Sequence, residues 1–79
     1  MEGPLTKRFG ANVRHARESR DWTQEDLSGK TGLAVVQVSR IERGKREIRL
    51  STLVRLLDGL EVEPDVLLSG LLDRSESDK

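Results

Sequence analysis

The sequence predicts an all-α domain of five short helices, and three observations predict it. Apolar residues recur at intervals of three and four, the spacing of one helix face, and no stretch alternates as a strand does. Breaks fall at Asp21-Trp22, Gly32, Gly44 and Glu63-Pro64, so the chain divides into pieces of helical length. The gap after Gly32 is too short for its neighbours to run antiparallel. The second and third helices must therefore cross at a steep angle.

Met1 to Gly3 has nothing to pack, and residues 1–4 are expected to fray. Pro4 suits a first helical turn, where its missing N–H costs nothing. Leu5, Phe9, Val13 and Ala16 then follow at i, i+4, i+8 and i+11, predicting a first helix over about Leu5 to Arg20. Gly10 lies inside it at a cost of about 1 kcal/mol relative to alanine. Either another helix passes close by, or the site is merely tolerated. Thr23 opens the second helix with a reciprocal cap, Thr-x-x-Asp, and Gly32 closes it in the left-handed conformation. That helix runs about Gln24 to Thr31, with Leu27 inward. Trp22 is expected to cover the core between the first two helices.

The third helix, Val35 to Arg43, ends at Gly44, and a basic loop of residues 45–49 follows. Leu50, Leu53, Val54, Leu57 and Leu60, widened by Leu56, predict a fourth helix over Leu50 to Leu60. Glu63 and Pro64 read as cap and first position of a fifth, carrying Val66, Leu67, Leu68, Leu71 and Leu72. The domain is placed at residues 5–72, with a polar tail at 73–79 expected to be disordered. Two short helices joined by a tight glycine turn make a helix-turn-helix.

Seventy-nine residues allow one small domain, near the size that buries about 60 to 65% of its unfolded surface. The chain has no cysteine, so disulfides and thiolate metal sites are excluded. A single histidine, His15, lies off the first helix's apolar face and is expected in solvent, so no metal or other cofactor is expected. No Ser/His/Asp set, phosphate-cradling glycine loop or confined carboxylate pair can be assembled, which argues against an enzyme. No apolar run reaches the roughly 18 residues of a membrane span, and no signal-peptide pattern is present. A cytoplasmic protein without membrane or small-molecule partners is expected.

The net charge is zero, but it is polarised. Residues 1–49 hold eleven Lys/Arg against seven Asp/Glu, and residues 50–79 hold three against seven. Arg40, Arg43, Lys45, Arg46 and Arg49 crowd into ten positions opposed only by Glu42 and Glu47. Phosphate affinity depends on that local field more than on the sum.

On the third helix, Val38 and Ile41 fall on one side, while Val36, Arg40 and Arg43 recur at i, i+4 and i+7 on the other. Folding alone does not require a bare valine between two guanidinium groups. Methyls and donors on one face suit a DNA major groove. Gln37 lies between the faces; it is grouped with the base readers, the alternatives being a contact with Gln24 or none.

The chain resembles the lambda-repressor-like helix-turn-helix family of phage Cro and repressor type, the XRE family. The matching residues are Phe9-Gly10-x-x-Val13-Arg14-x-x-Arg17, Thr23-Gln24-Glu25-Asp26-Leu27, Gly32-Leu33, Val38-Ser39-x-Ile41-Glu42-Arg43-Gly44 and Leu60-x-Val62. The resemblance spans residues 5–72. It implies that Val35, Val36, Ser39 and Arg40 face the major groove, with Arg40 the base reader. Thr23, Gln24, Arg43, Lys45 and Arg46 would hold phosphates, and Arg17 would pair with Glu42 beneath the reading helix. Three departures stand out: Ala34 replaces a Ser/Thr cap, Ser28 an alanine, and Glu61 a glycine. The valine pair replaces polar base readers and shifts the expected contacts toward thymine methyls.

The apolar arc of the last helix is wider than one packing face needs. Its surplus, around Val66, Leu68, Leu71 and Leu72, is expected to form a homodimer contact. The function implied is a sequence-specific regulator of transcription, acting on double-stranded DNA at a near-palindromic operator. In size the chain resembles restriction-modification controllers and small phage repressors. The competing class is an interaction module that binds another protein through the leucine-rich end.

Overall fold

The computed structural model describes residues 3–72. Five helices follow in order, α1 (Pro4–Glu18), α2 (Gln24–Thr31), α3 (Val35–Glu42), α4 (Leu50–Leu60) and α5 (Pro64–Leu67), with no strand among the described residues. Phe9, Val13 and Ala16 of α1 meet Leu27, Leu33, Val38, Ile41, Leu56, Leu60 and Leu67 in one core, with Trp22 packed at its edge. Residues 73–79, the expected tail, lie outside the described residues, as do Met1 and Glu2.

Gly3 caps α1 and Pro4 is its first residue, so the ordered chain begins earlier than expected. The Thr6 hydroxyl lies 3.0 Å from the Gly44 carbonyl and donates to it, tying the start of α1 to the end of α3. Leu5 proves 54% exposed, while Thr6 and Arg17 are buried. The buried arc of α1 is thus centred on Val13, and Leu5 falls at its margin. The helix also stops at Glu18, short of Arg20, because Asp21 turns the chain at a left-handed φ of 59°. The Arg20 side chain instead bridges two helices: its guanidinium donates to the carbonyls of Ala16 and Leu60 at 2.7 and 2.8 Å. Trp22 receives the cations of Arg20 and Lys30 at 5.8 and 5.1 Å from its ring centre.

The reciprocal cap of α2 forms as the sequence predicts. The Asp26 N–H donates to Thr23 Oγ1 at 3.0 Å, and the Thr23 N–H donates to Asp26 Oδ2 at 2.8 Å. Gly32 ends the helix at φ 79°. Gly10 has the first of its two explanations, since α3 crosses there. A Cβ at that position would fall on the Ile41 carbonyl oxygen and 2.7 Å from that of Glu42. Only a bare backbone permits that approach.

α4 keeps its expected bounds but turns a different side inward. Leu56 and Leu60 are buried with Leu53 and Leu57 beside them, whereas Leu50 and Val54 are 75% and 57% exposed. Two overlapping i, i+3, i+4, i+7 sets exist in this segment, and packing against α2 selects the later one. The fifth helix is a single turn, not the longer segment expected. Asn12 Nδ2 donates to the carbonyls of Leu67 and Ser69, both at 2.8 Å, and Gly70 follows at φ 80°. Those two carbonyls are capped from α1, and the chain turns away.

Glu61 closes α4 at φ 56°, a conformation that costs an L-residue roughly 1–2 kcal/mol. Glu61→Gly should therefore raise stability by about 0.5–1 kcal/mol, net of the extra chain entropy that glycine loses on folding. Urea denaturation of both proteins measures this, and an unchanged or lower midpoint would contradict it.

Candidate nucleic-acid interface

The inward side of α3 is locked before its outward side can be used. Arg17 Nε and Nη2 donate to Glu42 Oε2 and Oε1 at 2.7 and 3.0 Å, a paired contact between side chains 11% and 3% exposed. Gln24 Nε2 donates to the same Oε1 at 3.1 Å, and Arg17 Nη1 donates to the Trp22 carbonyl at 2.7 Å. One carboxylate thus gathers α1, α2 and the loop between them onto α3. Hydrogen bonding to Glu42, opposed by burial, raises the Arg17 pKa above its ordinary value. The ion pair expected at these two residues is present.

Gln24 braces α3, spending one amide N–H to do so. Among the described residues no hydrogen bond engages its second N–H or the Thr23 hydroxyl proton at the start of α2. Gln37 contacts neither Gln24 nor nothing. Its Oε1 accepts from the Ala34 N–H at 3.1 Å, the half of a capping box that runs from N3 back to the N-cap, while the half an alanine side chain cannot make is missing.

The opposite side of α3 faces outward. Val35 is 38% and Val36 53% exposed, Arg40 and Arg43 are exposed, and Ser39 is half-buried. Arg43 caps the helix, which ends one residue earlier than expected, and its Nε donates to the Ser39 carbonyl at 3.3 Å. Lys45 and Arg46 follow in the exposed loop.

Between this helix, the loop and α4 opens a cleft of about 530 Å³, lined by Gln37, Arg40, Arg46, Arg49, Thr52 and Arg55 among others. Glu47 is the one carboxylate in the lining, and no ion pair engages any of these four arginines among the described residues. Arg49, Thr52 and Arg55 were not foreseen as site residues. Their signal was the polar side of α4, where Ser51, Thr52 and Arg55 share one flank opposite the leucines. Arg55 reaches the turn itself, since a Cβ on Gly32 would lie 3.0 Å from its guanidinium.

A buried anchor below, methyls and unpaired guanidinium groups above, and a tight turn into the helix define a helix-turn-helix DNA-binding domain. Residues 13–67 match the helix-turn-helix family, and the chain belongs to it. It is 42% identical over 55 residues to an uncharacterized HTH-type transcriptional regulator of Mycobacterium tuberculosis (strain ATCC 25618 / H37Rv), a match covering 70% of this chain and 22% of that protein. A similar regulator of Sinorhizobium fredii (strain NBRC 101917 / NGR234) is 36% identical over 58 residues, 73% of this chain and 30% of that one. The chain thus corresponds to less than a third of the length of these curated relatives.

Solved structures match over much more of their length. The wild-type restriction-modification controller protein C.Esp1396I superposes with a TM-score of 0.80 at 29% identity, covering 96% of this chain and 99% of that one. The controller C.AhdI from Aeromonas hydrophila gives 0.74 at 33% identity, over 80% and 94%. The all-helical lambda-repressor-like fold predicted from the sequence is the one found.

Glu42→Ala should cost about 3–5 kcal/mol, because it strands the Arg17 charge. Arg17→Met with Glu42→Leu should recover much of that loss by replacing the pair with apolar bulk. Thermal unfolding of the three proteins checks both; an unchanged melting temperature for Glu42→Ala would remove the pair from its anchoring role.

Proposed function

We propose that this domain binds a near-palindromic operator as a dimer, with α3 in the major groove, and regulates transcription by occupying it without catalysing a reaction. The observation that carries this reading is the set of cleft arginines, Arg40, Arg46, Arg49 and Arg55, none in an ion pair among the described residues, beside a helix whose buried side is fixed. Arg40 donates to guanine O6 and N7, a contact that contributes about 1–3 kcal/mol of discrimination. Val35 and Val36 meet thymine methyls, and Ser39 lies at the groove edge. Thr23, Gln24, Arg43, Lys45 and Arg46 hold phosphates, joined by Arg49 and Arg55, whose guanidinium groups line the same cleft.

The dimer contact rests on exposed apolar residues at the C-terminal end. Val66, Leu68 and Leu72 are 43%, 40% and 71% exposed. Leu71 is half-buried against the core and contributes less than its place in the sequence suggested. With α5 reduced to one turn, the argument from helix circumference gives way to this direct exposure. A twofold pair would set its reading helices about 34 Å apart, one turn of DNA.

Selection on random duplexes at two salt concentrations tests the proposal, with sedimentation at about tens of micromolar on the same samples. One enriched palindrome and a dimer are expected. Arg40→Ala should relax preference at one base per half-site, and Arg46→Ala should lower the salt-dependence slope by about one unit while leaving preference unchanged. Weak, uniform DNA binding together with a monomer would overturn this reading and favour a module that binds another protein.

A further inference from the structure

Gln37 does two jobs that constrain each other. The Ala34 backbone N–H can donate only to the oxygen of the Gln37 amide, so chemistry fixes which way that amide is turned. Oε1 faces the helix start, and Nε2 is the end left to the outside. Glutamine ordinarily reads adenine through a paired contact, its oxygen accepting from N6 and its nitrogen donating to N7. With the oxygen turned back to the helix start as a cap, that two-point pairing is lost, and the group left to the outside is the Nε2 donor.

Arg40 lies one turn further along α3 and lines the same cleft. Its guanidinium is also donor-only. The two side chains therefore present N–H groups to neighbouring positions on the DNA. We propose, resting on the DNA reading above, that Gln37 is a specificity-determining residue that excludes cytosine at the base beside the guanine read by Arg40. Guanine offers O6 and N7, thymine O4 and adenine N7, whereas cytosine sets only its N4 amino donor against the Gln37 amide.

The substitution that separates cap from reader is Gln37→Glu. A carboxylate keeps an acceptor for the Ala34 N–H and favours the helix N-terminus, but it has no donor. Random-duplex selection with the full chain is run on the parent, Q37E and Arg40→Ala, the last marking the Arg40 position by the preference it loses. The parent should deplete cytosine next to that position. Q37E should melt no lower than the parent, lose at least about tenfold in affinity for the parent site, and switch its preference there to cytosine, whose N4 can donate to a carboxylate. All other positions should hold.

An even loss of affinity with preferences unchanged would overturn the assignment, as would a melting temperature several degrees lower or enrichment of cytosine by the parent. Failure of the parent to enrich any sequence would overturn the DNA reading itself, and the assignment with it. The two failures are thus told apart by the parent alone.

Discussion

Arg17 and Glu42 meet in the buried angle where α1, α2 and α3 converge, and the placement of the outward surface depends on that contact. Burying two charges is costly, and the return comes only when geometry is good and the remaining polar atoms are satisfied. Both conditions hold. The carboxylate accepts two bonds from Arg17 and one from Gln24, while the third arm of the guanidinium reaches the Trp22 carbonyl. Such a pair adds direction where apolar packing adds mainly cohesion. Val38 and Ile41 would hold α3 against the core in several rotations, but a bidentate contact permits one.

What is fixed underneath determines what is shown above. Rotating an eight-residue helix by one position would carry Arg40 from the cleft toward the core and bring a buried residue out. The close crossing at Gly10 limits the same freedom from another direction, since α1 and α3 touch backbone to backbone there. Cations lining the cleft then share one surface, in no ion pair among the described residues. Their mutual repulsion is tolerable on a surface screened by water and salt, and a polyanion would relieve it.

Much of this was legible in the sequence, for reasons that differ by residue. Thr23 with Asp26, Gly32 and Pro64 act through local backbone chemistry, so the bounds of α2 and α4 and the starts of α3 and α5 could be read directly. The inward side of α4 could not, because two equally regular leucine sets overlap and only the position of α2 decides between them. Thr6 and Arg17 escape any hydrophobic pattern, being polar groups buried by their partners; the family resemblance supplied Arg17 and nothing supplied Thr6. The end of α5 turned on Asn12, 55 residues earlier in the chain than Leu67. Gly70 was the local sign of it. The cleft was half foreseen: its α3 and loop residues stood out by charge, while Arg55 was masked by the leucines around it.

The Asn12 contact has a further consequence for how the two ends of the domain communicate. α5 packs chiefly on α1, and so does α3, while α3 and α5 do not pair extensively. On α1 the two attachments lie two residues apart, Gly10 under α3 and Asn12 under α5. Free-energy coupling between an occupant of the apolar end and one on the reading helix thus has a short route through half a turn of α1, beside the core that Leu67 shares with Val38 and Ile41, and it is reciprocal by thermodynamic necessity. α1 is a stiff, doubly anchored element rather than a hinge. A stiff relay transmits little that is graded, so the two ends are linked mainly by the order they share.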